Sequence, residues 1–170
     1  MLRALLLVAV VGIITLAAAS YEPHRLPADA RVDRIVVEKS ARKLTLFRGA
    51  TPLKSYSVAL GRAPEGTKER EGDHRTPEGS YLIDAHKHDS AFHRALHISY
   101  PAADDSAVAA QHGVNPGGDI MVHGIRNGLG WLGALHRCID WTSGCIAVTD
   151  KEIEEIYRAV PDGTPIEIRP

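Results

Sequence analysis

Only two cysteines, Cys138 and Cys145, occur in the 170 residues, which excludes a scaffold built on disulfides and leaves stability to a hydrophobic core. An excess of one charge is missing too: 20 Lys and Arg stand against 21 Asp and Glu, a net charge of -1. No global field therefore recruits nucleic acid or an anionic membrane face, and specificity rests on a local site. Internal repeats and low-complexity segments are absent. What is present, 44% hydrophobic and 24% charged residues, fits one globular domain with a sizeable core and a short extra segment.

The one long apolar run is at the start, where Arg3 precedes Ala4 to Ala19. As a helix it spans about 24 Å, short of the roughly 30 Å hydrocarbon core. Ala17-Ala18-Ala19 offers small residues before a cut. Residues 1–19 thus read as an export signal cut near Ser20, with an uncleaved inner-membrane anchor as the alternative. Both put the domain in the periplasm or cell envelope, and a membrane is met only through an uncleaved segment. Thiols normally pair in an oxidising compartment, so one that stays reduced there has work to do. Residues 20–31, with two prolines and no periodicity, read as a linker. The domain then covers 32–170.

Short alternating runs follow at Arg34–Val37, Lys43–Phe47, Tyr56–Leu60, Ser80–Ile83 and Leu96–Ser99, each fitting a strand with one buried face. Gly61 to Gly79 is polar and rich in Gly and Pro, and reads as a long binding loop. An Ala-rich helix capped by Asp104 or Asp105 ends at His112-Gly113. A second helix starts at a Thr149/Glu152 capping box, places Ile153, Ile156, Tyr157 and Val160 on one face, and stops at Pro161-Asp162-Gly163. A strand, Pro165 to Ile168, closes the chain. Many strands with one or two short helices predict a mostly β fold, a β-sandwich or partly closed barrel.

The chemistry concentrates in Ile120-Met121-Val122-His123-Gly124 and, after a long excursion, Thr142-Ser143-Gly144-Cys145-Ile146-Ala147-Val148. Each is an apolar strand meeting a polar residue at a glycine. Gly144 removes a side chain beside the sulfur and frees backbone N–H groups to face a developing oxyanion. His123, on a neighbouring strand, can take the proton from Cys145, and that pair suffices for amide acyl transfer. The plain alternative is that Cys145 is a small buried hydrophobe.

These residues resemble the L,D-transpeptidases of peptidoglycan, the YkuD-type catalytic domains, whose pattern is a histidine followed by Ser or Thr, any residue, Gly, Cys and an apolar residue. Arg75-Thr76-Pro77-Glu78-Gly79, Ile98-Ser99-Tyr100-Pro101, Gly117-Gly118-Asp119 and Asp140-Trp141-Thr142 look like the YafK/ErfK-like branch, and the likeness runs from Val32 to Pro170. The resemblance implies that Cys145 attacks the bond between diaminopimelate and terminal D-Ala in a stem peptide, forming a thioester. It implies His123 as base, the Gly124 carbonyl as its orienter, and the N–H groups of Ser143, Gly144 and Cys145 as the oxyanion hole. No cofactor or metal is implied. The pattern departs in Ser143, where many members carry His, and in Ala147, where many carry Arg or Asn. Relatives of this branch include amidases that detach a lipoprotein from the wall, so an envelope lipoprotein is an implied partner and water an alternative acceptor to an amine.

Further residues have two readings each. Cys138 is an idle thiol or a redox partner of Cys145, and a permanent bridge between them would describe a non-catalytic wall-binding module. His86, His88, His93 and His97 crowd together, but without a ligand pattern they read as separately satisfied histidines. Trp141 and Thr142 wall the expected pocket or pack beneath it. Arg126 either holds a stem carboxylate or is a solvated surface arginine. Tyr100 is either a donor-site hydroxyl or core.

Overall fold

The computed structural model describes residues 25–170, so the signal or anchor reading of residues 1–19 lies outside the described residues. Among these, the strands are β1 (Arg34–Glu38), β2 (Lys43–Arg48), β3 (Thr51–Ser57), β4 (Gly79–Ser90), β5 (His93–Ile98), β6 (Met121–His123), β7 (Ile146–Ala147) and β8 (Pro165–Arg169). The helices are α1 (Ala103–Gln111) and α2 (Asp150–Ala159), with a 3₁₀ segment over Gly130–Cys138. All eight strands join one mixed sheet in the order β3-β2-β1-β8-β4-β5-β6-β7. The mostly β expectation holds, and the sheet is not closed by a continuous ladder. Two isolated bridges, Ala59 with Ala147 and Gly61 with Thr142, tie the chain leaving β3 to the region of β7.

The period-two pattern explains the core. Ile35 and Val37 on β1, Leu44 and Leu46 on β2, Ile166 and Ile168 on β8 are essentially sealed from solvent, because alternate residues of a strand share one face. The α2 helix adds Ile153 and Ile156. Its start is set as the sequence indicates: the Thr149 hydroxyl accepts from the Glu152 N–H, and the Glu152 carboxylate accepts from the Thr149 N–H at 2.8 Å. The α1 helix begins one residue before the expected cap, at Ala103, because Asp105 accepts from the Ala102 N–H at 2.8 Å from inside the first turn.

Three differences from the sequence reading have local causes. Within residues 20–31, read as a linker, Leu26 is nevertheless buried in the core, and just beyond them the Val32 N–H donates to the Ala159 carbonyl. Strand β4 runs on to Ser90 through the polar stretch Asp84–Ser90, paired to β5 despite having no buried face of its own. The histidines of β4 and β5 find separate partners: His86 with Asp162 and the Tyr157 carbonyl, His97 with Asp84, His93 with Glu154. Finally, the loop from Gly61 to Gly79 is irregular but anchored. The buried Lys39 ammonium donates to the carbonyls of Gly66 and Thr76 and to Glu78 at 2.7 Å, closing the loop onto the end of β1.

Removing that ammonium leaves two carbonyls and a carboxylate without their donor. Lys39→Met is therefore expected to destabilise the fold by roughly 3 kcal/mol, read as a lower urea midpoint at unchanged slope.

Candidate active site

Strands β6 and β7 run parallel, with Val122 beside Ile146 and His123 beside Ala147. Extending that register one residue back brings Cys145 beside Met121. Val122, Ile146 and Val148 are buried in the core, which leaves Met121, His123 and Cys145 to line a cavity of about 930 Å³. Nucleophile and base candidates thus share one cavity because both strands alternate in phase.

His123 is 3% exposed, packed between Phe92 at 4.5 Å and Trp141 at 5.7 Å between ring centroids. Its Nδ1 lies 2.6 Å from the Gly124 carbonyl oxygen. A carbonyl only accepts, so Nδ1 carries the proton and the neutral ring keeps its lone pair on Nε2. Gly124 is itself fixed. Its N–H is shared between the carbonyls of Phe92 and Arg94, and a Cβ there would sit 2.8 Å from Asp150 Oδ1. The same carboxylate accepts from the Ile125 N–H at 2.8 Å. Asp150, the first residue of α2, was not legible as a site residue, because a helix-start acid reads as a dipole partner and nothing more.

The turn before Cys145 is built on Thr142, which is buried. Its hydroxyl donates to the Cys145 carbonyl at 2.7 Å and accepts from the Gly144 N–H at 3.1 Å. Gly144 stands at φ 135°, and a Cβ would come within 2.7 Å of the Arg75 carbonyl, so glycine is required on both counts. Asp140 pins the approach to this turn, accepting from the Leu60 N–H at 2.9 Å and from two nitrogens of Arg42. Of the three N–H groups expected in an oxyanion hole, that of Gly144 is therefore engaged within the turn.

Cys145 is half-buried, and its Sγ lies 3.5 Å from the Asp119 carbonyl. Burial pushes the thiol up to about 11, against the opposing effect of the Met121 N–H directed at the sulfur. Burial likewise pulls His123 down to about 4, despite its bond to Gly124. At neutral pH both groups are uncharged, so the sulfur rests as a protonated thiol in this conformation. Cys138 is exposed on the same cavity, and both thiols are free.

The remaining residues divide. Trp141, Thr142, Ser143 and Arg126 line the cavity with the pair. Tyr100 does not: it is buried against Tyr81, its hydroxyl donates to the Pro116 carbonyl at 3.1 Å, and burial pushes it up to about 12. The donor-site reading of Tyr100 gives way to core packing. His136, unremarked in the sequence, is buried beside the cavity and accepts from the Trp141 indole N–H at 3.3 Å, which steadies the ring that flanks His123. The 3₁₀ segment that carries it breaks at Gly133, where φ is 49°. Leu132 and Leu135 of this segment supply an apolar wall.

Two outcomes follow from the neutral pair. Alkylation of Cys145 by iodoacetamide, followed peptide by peptide, should be slower at pH 7 than that of Cys138 and should climb steadily between pH 7 and 10. A rate already at plateau at pH 6 would show a preformed ion pair instead. Because His123 titrates lower in the folded chain than its ordinary 6.5, its contribution to stability is intact above pH 6.5 and is lost as pH falls towards 4. Its size is about 3 kcal/mol, from one such unit being worth about 1.4 kcal/mol. His123→Gln should flatten that part of the pH–stability curve.

Comparison with known proteins supplies the family. The description "YkuD: L,D-transpeptidase catalytic domain" matches residues 32–168. YafK of Escherichia coli (strain K12), whose name places it among the L,D-transpeptidases, is 33% identical over 110 residues, 64% of this chain and 37% of that protein. The chain thus spans little more than a third of the curated relatives it matches. Among solved structures, the helical cell shape determining protein Pgp2 from Campylobacter jejuni is similar with a TM-score of 0.64 at 21% identity, over 90% of this chain and 53% of that one. An L,D-transpeptidase from Mycobacterium smegmatis is similar with a TM-score of 0.54 at 16% identity, over 83% and 59%. At such identities the structures speak for the fold, and the match over 32–168 speaks for the family. The chain belongs to the family of L,D-transpeptidase catalytic domains of YkuD type.

Proposed function

We propose that this chain performs cysteine-dependent acyl transfer on peptidoglycan stem peptides in the cell envelope, with Cys145 as nucleophile and His123 as base. The observation that carries the reading is the neutral imidazole whose Nδ1 is committed to Gly124 at 2.6 Å, lining the same cavity as the sulfur. In the first half-reaction His123 Nε2 takes the Sγ proton as sulfur attacks the carbonyl between diaminopimelate and D-Ala. The N–H groups of Ser143 and Cys145 face the oxyanion, since that of Gly144 serves Thr142. His123 then returns the proton to the departing amine of D-Ala, leaving a thioester. In the second half-reaction an amine or a water gives its proton to His123 and attacks the thioester, which regenerates the thiol.

The high resting position of the thiol suits this order. His123, uncharged at neutral pH, need only accept the proton as the sulfur–carbon bond forms, and general base assistance of this kind contributes about 10²–10⁴-fold. Ser143 and Ala147 do not add the polar groups that many members hold there, and Ala147 is fully buried. The acceptor is consequently left to the outcome of the reaction itself: cross-linked dimers mark an amine, trimmed stems or a released lipoprotein mark water.

Mass spectrometry after incubation with a carbapenem is the direct test. One adduct is expected, retained in Cys138→Ala and lost in Cys145→Ala; retention in the latter would remove Cys145 from the reaction. His123→Gln should slow acylation by at least about 100-fold. For the native chain the acid limb of D-Ala release should lie well below pH 6.5, because His123 keeps its lone pair down to about pH 4.

A further inference from the structure

We propose that Lys87 and Asp119 form a charge-paired subsite that reads the ammonium and carboxylate at the distal end of the donor's diamino acid, and so set donor specificity. This rests on the acyl-transfer reading above and goes beyond it to the selection of the substrate.

Asp119 is joined to the reacting atom through its own backbone, since its carbonyl accepts from Cys145 Sγ at 3.5 Å. Its φ of 54° is left-handed, and the side chain is 82% exposed. Lys87 comes from the polar extension of β4 and lies on the same cavity, with Nζ 3.6 Å from Asp119 Oδ1. That distance is a Coulombic contact, too long for a hydrogen bond, so both groups keep their donors and acceptors for a ligand. His97, held by Asp84 at 2.6 Å, stands 3.9 Å from the same carboxylate oxygen on its other side.

Stability does not explain this arrangement. An exposed ion pair adds little to stability, and a non-glycine residue in the left-handed region is strained rather than stabilising. The strand extension that delivers Lys87 buries no apolar face. A ligand does explain it. In diaminopimelate the distal centre bears one ammonium and one carboxylate, separated by three methylene groups from the carbon that carries the reacting carbonyl. Such a zwitterion matches an adjacent carboxylate and ammonium, each pairing with its opposite. The remaining charges on the cavity fit less well. Arg62 is engaged with the Trp141 carbonyl at 3.3 Å, whereas Arg126 and Asp89 are not paired with each other. The charges of Asp119 and Lys87 also reach the sulfur, raising and lowering its thiol respectively, which places both beside the chemistry.

The test compares D-Ala release by the full chain from three tetrapeptide stems: diaminopimelate, its distal carboxamide, and lysine, which lacks the distal carboxylate. The native protein should prefer the first. Lys87→Gln should lower that preference roughly tenfold, the value of one charge-assisted contact, and Lys87→Arg should restore most of it. Asp119→Asn should slow all three donors, since each carries the ammonium, without altering the preference. Carbapenem acylation of each variant reports whether fold and nucleophile survive. An unchanged preference in Lys87→Gln, or an equal loss on every stem, overturns the subsite. Failure of the native protein to release D-Ala from any stem overturns the acyl-transfer reading, and the subsite with it.

Discussion

The hydrogen bond from His123 Nδ1 to the Gly124 carbonyl is the constraint around which the site is arranged. It selects the tautomer, and through it the nitrogen that is left to handle a proton. For this bond to hold, the Gly124 peptide must not turn. Three elements prevent it: the β4–β5 connection, whose Phe92 and Arg94 carbonyls take the Gly124 N–H; the Asp150 carboxylate, which fills the space a side chain would need; and α2, which places Asp150. The helix is in turn locked by its capping box, and Glu152 of that box also pairs with Arg137 of the 3₁₀ segment. A single carbonyl orientation is thereby tied to both sides of the cavity.

The nucleophile depends on a different kind of order, backbone against backbone. Gly144 nearly touches the Arg75 carbonyl, and a Cβ on Gly61 would meet the His74 carbonyl at 2.1 Å. The loop that reads from sequence as a binding element is thus the support behind the Gly-Cys turn, and Lys39 is what holds it in place. The neutrality of sulfur and imidazole follows from burial, which leaves a charge on either group poorly solvated. A thiol held protonated also resists oxidation, which proceeds through the thiolate.

Much of this was readable from residues whose role depends on local rules. The capping box at Thr149 and Glu152 needs four residues and no tertiary context, and it holds. The alternation in Met121-Val122-His123 and in Cys145-Ile146-Ala147 sets which side chains share a face, and the cavity follows it. What escaped depends on partners distant in the chain. The extension of β4 has no apolar period, and it is a strand only because β5 supplies hydrogen bonds. Tyr100 sits in a stretch shared with the family, yet its hydroxyl is used by Pro116. Leu26 lies in what looks like a linker and still reaches the core. The position of the thiol is the clearest case, because desolvation is a property of the assembled cavity, and a Gly-Cys turn implies access without implying charge.

The choice of acceptor can be placed on the same physical footing. The cavity that Cys145 lines is also lined by the apolar Leu132 and Leu135 and by the exposed Ser143. On the acyl-transfer reading, Ser143 and Ala147 offer an incoming amine little to hold, so an amine gains its advantage over water from being delivered in position, an effect that raises local concentration by orders of magnitude. On that reading the proton transfers fall to His123, and the partition between cross-linking and hydrolysis is a matter of how the substrate is presented, with one acyl-enzyme common to both.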